Sequence, residues 1–172
     1  MRSSQPPPIP GWQKRLRRSN LLRLWVARVF FRSIPHGRYI KLKPIGYRGR
    51  ELTARMPYQE ALIGNLETGA LHSGAITALV DQTSGAAASL AVYPPSMVAT
   101  LDLRLDYLRP AKAGAAIYAC AEAYRVTKRI VFVRCTAHDG DREDPIAVGM
   151  SSFMRNGPIV KNPLRRLFRK KR

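Results

Sequence analysis

The chain has 172 residues, of which 45% are hydrophobic, so it is long and apolar enough to fold as one domain rather than remain disordered. Its net charge of +19 is distributed unevenly. Residues 1–50 hold thirteen basic side chains and residues 155–172 hold eight, and neither stretch contains an acid. The middle, 51–154, carries nine bases and eleven acids, which argues against a uniformly basic nucleic-acid-binding domain and predicts a near-neutral centre with two cationic arms.

The N-terminal arm, residues 1–37, is expected to contain a helix over residues 12–33. Five basic side chains share one stripe of its helical wheel, which is as wide as one helix face. They are Lys14, Arg17, Arg18, Arg28 and Arg32. The C-terminal tail, 158–172, pairs apolar residues at helical spacing with a dense basic cluster. Both arms suit an anionic membrane surface; the alternatives are a solvated tail and a helix that packs on the domain.

The N-terminal arm does not have the pattern of a secretory signal peptide or of a membrane-spanning helix. Its apolar run, residues 21–31, is interrupted by Arg23 and Arg28 and is shorter than the ~20 apolar residues that a span needs. A cytoplasmic protein is expected, with peripheral attachment to a membrane or an organelle transit peptide as alternatives. Removal of residues 1–35 and 160–172 is expected to leave the central domain folded.

The central domain, residues 38–157, opens with two predicted strands over residues 38–42 and 51–56, followed by a loop over 64–70. Residues 73–92 are almost entirely apolar, with Asp81 as the one charge, and predict a buried helix of about five turns. Four extended segments follow, at 100–108, 115–124, 129–138 and 145–155, and are expected to form an antiparallel meander. The fold class is therefore α+β, with one long buried helix wrapped by an antiparallel sheet.

Asp81 is the most informative residue for function. An ionised carboxylate inside an apolar helix costs several kcal/mol unless something compensates it. The structural explanation is a partner in the core or at an interface. The functional explanation is a general base or nucleophile in a site shielded from water.

A second candidate group lies where this helix begins. His72, Ser73 and Gly74 open the helix, and the first backbone N–H groups of a helix have no internal acceptor, so they can hold a developing oxyanion. Ser73 and Asp81 are eight residues apart, or about 12 Å along the helix axis. One substrate carbonyl cannot touch both groups in one chain. If they act together, the site lies between two antiparallel copies of the helix at a dimer interface.

These residues resemble a known motif. Asn65, His72-Ser73-Gly74 and Asp81, followed by the segment Thr100 to Ala111, are similar to the hotdog-fold acyl-CoA thioesterases of the phenylacetate (PaaI-like) branch. The resemblance covers roughly residues 38–155 and leaves both arms outside. Two features depart from the family pattern: Ser73 replaces a glycine, so that a side chain is expected to narrow the site, and Asn65 is one residue further from the His.

The resemblance implies a role for each matching position. Asp81 is the carboxylate that activates water or attacks the thioester, and the amide of Ser73 is the oxyanion donor. Asn65 helps position the carbonyl or the water, and Thr100 assists from across the interface. His72 belongs to the same catalytic group, or else only caps the helix. The remaining positions are expected to bind substrate: Gly74, Tyr107, Arg125, Lys128 and Arg129.

The expected function is hydrolysis of an acyl- or aryl-CoA by a homodimer or a dimer of dimers, without a metal or other cofactor. The main alternative is a hotdog dimer that binds an acyl-CoA or lipid without turnover and is attached to a membrane by its arms. Nucleic-acid binding is disfavoured because aromatic residues are not interleaved with the basic runs, apart from Trp12 and Trp25. Cys120 and Cys135 are expected to be small core residues.

Overall fold

The computed structural model describes residues 19–158, and within this range the α+β prediction is confirmed. The helices are α1 (Asn20–Ser33), α2 (Pro35–Tyr39) and α3 (Ser73–Leu90). The strands are β1 (Lys43–Arg48), β2 (Glu51–Met56), β3 (Ile63–Asn65), β4 (Ala70–Leu71), β5 (Ser96–Tyr107), β6 (Ile117–Val126), β7 (Ile130–His138) and β8 (Ala147–Pro158). Six of the strands form one antiparallel sheet in the order β1-β2-β6-β7-β8-β5, and the two short strands β3 and β4 form a hairpin.

Helix α3 is the centre of the fold, as predicted. Thirteen of its 18 residues are buried, and it packs on strands β2, β5, β6 and β7. Small residues allow this close approach. A side chain at Gly149 of β8 would place its Cβ 3.0 Å from Leu105 and 3.3 Å from Val80. Only the first half of α3 keeps an open side, which carries Ser73, Thr77 and Asp81; every residue from Gln82 to Leu90 is buried.

The first predicted strand is wrong by several residues. Residues 38–42 finish helix α2 and its turn, and β1 begins at Lys43. Pro35 occupies the first helical position, where a proline ring favours helix. Pro44 lies inside β1, which is tolerated because β1 is an edge strand with a register shift between Pro44 and Gly46.

The predicted meander is also wrong in its order. Strand β5 pairs with β8, and β6 lies between β2 and β7. The chain crosses from β5 to β6 through a segment held by Arg109, which donates to both Asp139 oxygens at 2.8 and 2.9 Å and forms an ion pair with Asp144 at 2.9 Å. As a result β5 is an edge strand, and its alternating pattern buries one face only partly: Leu101 is 49% exposed.

Helix α1 packs on the domain, which is one of the alternatives that the sequence left open. Its Ala27 and Phe31 are buried, and it contacts β1 and α3. The predicted stripe residues Lys14, Arg17 and Arg18, and the C-terminal tail from residue 159, lie outside the described residues. Within residues 19–158, no helix is long and apolar enough to cross a membrane.

Candidate active site

A polar stripe lies on the open side of α3. Ser73, Thr77 and Asp81 recur at intervals of four residues, which places them on one face of the helix. Strand β5 runs beside this face and contributes Thr100 and Tyr107. The fold therefore gathers on one surface the acid, the helix start and two of the hydroxyl groups that the sequence singled out.

Asp81 is half-buried and is held by the neighbouring strand. Its Oδ1 accepts a hydrogen bond from the Thr100 hydroxyl, at 2.9 Å. The resemblance implied that Thr100 acts from across the interface, whereas the structure pairs it with Asp81 of the same chain. The contact compensates one carboxylate oxygen and fixes the orientation of the group.

The start of α3 leaves one amide available. His72 is the N-cap residue, and its Nδ1 accepts from the Gly74 N–H at 3.0 Å. The Ala75 N–H donates to the His72 carbonyl oxygen, also at 3.0 Å. Among the described residues, no acceptor is found for the N–H of Ser73 in the first turn. That amide is exposed and points out of the positive end of the helix dipole. The structure thus gives His72 a capping role.

Tyr107 and Thr77 hold the same helix start from its carbonyl side. The Tyr107 hydroxyl donates to the Ser73 carbonyl oxygen at 2.8 Å, and the Thr77 hydroxyl lies 3.0 Å from that oxygen. Tyr107 and Thr77 are also 2.8 Å apart. The resemblance implied that Tyr107 binds substrate, and the structure adds a contact that positions the start of α3. Sequence reasoning missed Thr77, although its spacing of four residues from both Ser73 and Asp81 could have identified it.

Asn65 ends β3 and shapes the loop before α3. Its Oδ1 accepts from the N–H groups of Glu67 and Thr68, at 2.9 and 3.1 Å. This loop packs close to the helix start, because a side chain at Gly64 would come within 2.7 Å of the His72 Cα. Within the described residues, no hydrogen bond joins Asn65 to Asp81, Ser73 or Thr100.

The three predicted coenzyme A contacts lie at the other end of the molecule from the helix start. Arg125 is the last residue but one of β6, and Lys128 and Arg129 form the turn before β7; all three are exposed. Arg125 lines a cavity of about 710 Å³ with Arg23 and Ala91, just past the C-terminal end of α3. Ala91 follows Asp81 by ten residues, or about 15 Å of helix. The structure does not bring these cations to the Ser73 amide of their own chain.

A small cavity of about 240 Å³ adjoins Asp81 and Thr100. Its walls are mostly apolar and include Phe30, Val98 and Phe153. Gln82 also lines it, and the Gln82 side-chain nitrogen is buried without a hydrogen-bond partner among the described residues. This is a half-enclosed, mostly apolar space next to a positioned carboxylate.

Other chemistry-bearing residues take structural positions. Cys120 and Cys135 are buried and free, as expected, and burial raises the pKa of Cys135 to about 12. His138 stacks on Tyr118, and burial lowers its pKa. Within residues 19–158, no group of three or more His, Cys, Asp or Glu side chains is arranged to hold a metal ion.

Comparisons with known proteins agree with this geometry. The model of the Thioesterase superfamily matches residues 68–146. A Halobacterium salinarum protein named as an esterase is 34% identical over 111 residues, which are 60% of this chain and 72% of that protein.

Solved structures extend the likeness to the whole fold. A Pseudomonas aeruginosa protein is 39% identical with a TM-score of 0.72, over 77% of this chain and 98% of that one. The PaaI protein of the phenylacetic acid degradation operon of E. coli has a TM-score of 0.72 over 83% of this chain and 100% of its own, and at 16% identity it shows the fold alone. Since the superfamily model spans the central helix and the strand that positions Asp81, and since this chain covers most of the relatives it matches, it belongs to the thioesterase superfamily and has the hotdog fold.

Proposed function

We propose that the protein is an acyl-CoA thioesterase that hydrolyses an acyl- or aryl-CoA to the free acid and coenzyme A. The observation that carries the proposal is the Asp81 carboxylate, which is oriented by Thr100 at 2.9 Å and adjoins a mostly apolar cavity. An oriented carboxylate beside a space for an acyl group is what hydrolysis of a thioester requires.

The proposed reaction adds water across the thioester. In the general-base version, Asp81 takes a proton from water as the water oxygen bonds to the carbonyl carbon. The carbonyl oxygen becomes an oxyanion, which the Ser73 N–H stabilises. The C–S bond then breaks, and the leaving thiolate of coenzyme A takes up the proton. In the nucleophilic version, Asp81 attacks the carbonyl carbon, the C–S bond breaks, and the coenzyme A thiolate leaves behind a mixed anhydride. Water then hydrolyses the anhydride to the free acid and the Asp81 carboxylate, and the proton it releases neutralises the thiolate. Neither version needs a metal or another cofactor.

The site is proposed to be shared between two chains. Helix α3 is continuous from Ser73 to Asp81, so the two groups of one chain are about 12 Å apart. Two antiparallel α3 helices would place the Ser73 amide of one chain beside Asp81 of the other. Support comes from β5, a 12-residue edge strand with exposed Met97 and Leu101, because a long apolar edge is an aggregation hazard unless it is covered. A homodimer, or a dimer of such dimers, would cover it.

The substrate is proposed to lie across this interface. The acyl group would fill the mostly apolar cavity next to Asp81. The phosphates of coenzyme A would lie near Arg125, Lys128 and Arg129, which are exposed cations suited to phosphate. A cytoplasmic location is part of the same proposal.

The second candidate is a dimer that binds an acyl-CoA or lipid without turnover and is attached to a membrane by its arms. Ser73 favours this candidate, since it adds a side chain at the helix start where family members carry glycine. The intact pair of Asp81 and Thr100 favours catalysis, because a binding module has no need of a half-buried carboxylate next to its acyl cavity.

Hydrolysis of a panel of short, medium, long and aryl acyl-CoA substrates tests the proposal. We expect Asp81→Asn to lower kcat/KM by ~10²–10⁴-fold, the usual contribution of a general base. The amide keeps the size of the carboxylate and an acceptor for Thr100, so the fold is expected to persist. Glu143→Gln, a change of the same kind at an exposed loop position, is the control. An Asp81→Asn protein that remains folded and near wild-type in rate would contradict the mechanism. Binding without hydrolysis by the wild type would favour the second candidate.

A further inference from the structure

A cationic groove lies on the face of the molecule formed by α1, the turn after α2, and strand β1. Its volume is about 700 Å³. Its floor is apolar and includes Phe31, Leu42 and Pro44. Six basic side chains line it: Arg28, Arg32, Arg38, Lys41, Lys43 and Arg55. No acidic residue contributes to the lining. The groove therefore combines a hydrophobic base with a dense ring of positive charge.

None of the six cations forms an ion pair with another described residue. Within residues 19–158, the ion pairs involve only Arg104, Arg109, Arg134 and Arg142 as bases. The segments on either side of the described residues bring no acid either, because residues 1–50 and 155–172 contain none. Six like charges around one cavity repel one another, and an anionic partner bound there would relieve the repulsion.

Lys41 occupies a backbone position that favours glycine. Its φ is +57°, and it is the one non-glycine residue with positive φ in the described part of the chain. It follows the C-cap of α2, where the Leu42 N–H donates to the Gly37 carbonyl at 2.8 Å and the Lys41 N–H donates to Arg38 at 3.1 Å. Glycine is the usual residue at this position of a helix end. Lys41 therefore places a positive charge at a strained backbone position, and strained positions are typical of functional sites.

The outward face of α1 continues this surface. Leu21, Trp25 and Val29 recur at intervals of four residues and are 81%, 60% and 47% exposed. On the helical wheel, Arg28 and Arg32 lie within the same arc, which is about 100° wide. Trp and Leu beside Arg on one helix face are characteristic of helices that lie in the headgroup region of a bilayer.

We infer that the groove and the outward face of α1 form a docking surface for an anionic phospholipid bilayer. The lipid phosphates would lie among the six cations, and Leu21, Trp25 and Val29 would enter the headgroup region. A second copy of the chain would bring the same positive charge to the surface, so charge complementarity disfavours it. Nucleic acid is disfavoured because the exposed aliphatic side chains of Leu21 and Val29 neither stack on bases nor form hydrogen bonds. The inference does not depend on the acyl-CoA activity; it assigns attachment to the folded residues of α1 and β1 and not only to residues 1–18 and 159–172.

Co-sedimentation of the full-length protein with vesicles of phosphatidylcholine, with and without phosphatidylglycerol, tests the inference at two salt concentrations. We expect binding only to the anionic vesicles. Arg28→Gln with Arg32→Gln is expected to weaken binding roughly thirtyfold, at ~1 kcal/mol for each basic residue near the surface. The matched control, Lys112→Gln with Arg134→Gln, removes the same net charge from exposed positions outside the groove and is expected to change binding much less. Equal losses in the two double variants would overturn the inference.

Two further measurements sharpen the test. One distinguishes lost vesicle binding from misfolding, and the other distinguishes attachment through α1 from attachment through residues 1–18 and 159–172. Lys41→Gly is expected to raise the melting temperature and yet weaken vesicle binding about fivefold, so misfolding cannot account for the loss. In a Trp12→Phe background, Trp25 fluorescence is expected to be quenched by brominated lipids in anionic vesicles. If vesicles are bound but Trp25 is not quenched, attachment is through residues 1–18 or 159–172. If the protein binds a DNA duplex more tightly than anionic vesicles, the groove is a nucleic-acid site. Either result overturns the inference.

Discussion

Asp81 is oriented by Thr100 on the neighbouring strand. The start of α3 is held by His72, which accepts from the Gly74 N–H, and by Tyr107, which donates to the Ser73 carbonyl oxygen. Both candidate groups were visible in the sequence. Asp81 is the one charge in an apolar helix, and the helix start at His72-Ser73-Gly74 is where backbone N–H groups lack internal acceptors. Their partners were not visible, because hydrogen bonds between α3 and β5 depend on the register of two elements that are distant in sequence.

The Ser73 amide can be tested with a proline. Ser73 is the first helical residue, and the preceding His72 has φ −61° and ψ 133°, a conformation compatible with a following proline. Ser73→Pro removes the one N–H while keeping the helix. We expect a loss of ~10²–10³-fold in kcat for acyl-CoA hydrolysis, as for other oxyanion donors.

Ser73→Gly is the control for this experiment, because it keeps the amide. It is expected to retain activity or raise it by widening the site. If Ser73→Gly loses more than about tenfold, which is ~1.4 kcal/mol of barrier, the hydroxyl itself takes part. If Ser73→Pro remains fully active, the Ser73 amide is not the oxyanion donor.

Asp139 makes a second residue-scale prediction, on stability. Its side chain is fully buried against Arg109, which holds the Asp139 pKa well below its usual range, and the Lys112 N–H at 2.8 Å adds to the effect. A carboxylate with a lowered pKa in the folded state stabilises the protein above its unfolded pKa, near 4, and loses this contribution as the pH falls below that value.

We therefore expect the free energy of unfolding to decline steeply below about pH 4. Asp139→Asn should cost about 2–4 kcal/mol at neutral pH, since it leaves Arg109 without its buried partner, and should flatten the acid decline. Urea unfolding between pH 2.5 and 7 measures both quantities. Parallel acid profiles for variant and wild type would show that another carboxylate controls the decline.

At the scale of elements, the long helix α3 and strands β6 to β8 were predictable, because length and period distinguish them. Strand β1 was not, since Pro44 and Gly46 resemble turn residues in a sequence, and only the edge position of β1 makes them acceptable. The sheet order was not predictable either. Alternation reports which residues face the core but not which strand is the neighbour, so the crossing held by Arg109 was missed.

Helix α1 changes one expectation from the sequence. Because Ala27 and Phe31 are buried in the core, deletion of residues 1–35 is expected to destabilise the domain by at least ~3 kcal/mol, the cost of losing one buried Phe. Deletion of residues 1–18 removes none of these contacts and is expected to leave the melting temperature nearly unchanged. Thermal unfolding of both deletion variants measures this effect. If the two variants have equal melting temperatures, α1 contributes nothing to the stability of the fold.

At the scale of the whole molecule, the distribution of charge distinguishes two surfaces of the protein. The near-neutral hotdog domain presents α3 and β5 as an open, partly apolar face, whereas α1 and β1 present a cationic one. The sequence predicted this division through the positions of its acids. It could not predict that Arg28, Arg32 and Lys43 converge on one groove, because that requires α1 to pack beside β1.

The whole-molecule claim is that each active site takes Asp81 from one chain and the Ser73 amide from another. In a two-fold dimer, a heterodimer of an Asp81→Asn chain and a Ser73→Pro chain has one intact site and one site that lacks both groups. Hydrolysis of acyl-CoA by purified heterodimers, compared with each parent homodimer, is the most direct measurement. The account predicts that both homodimers are nearly inactive and that the heterodimer recovers about half of the wild-type rate. A confirmed heterodimer that is no more active than its parents would contradict a shared site.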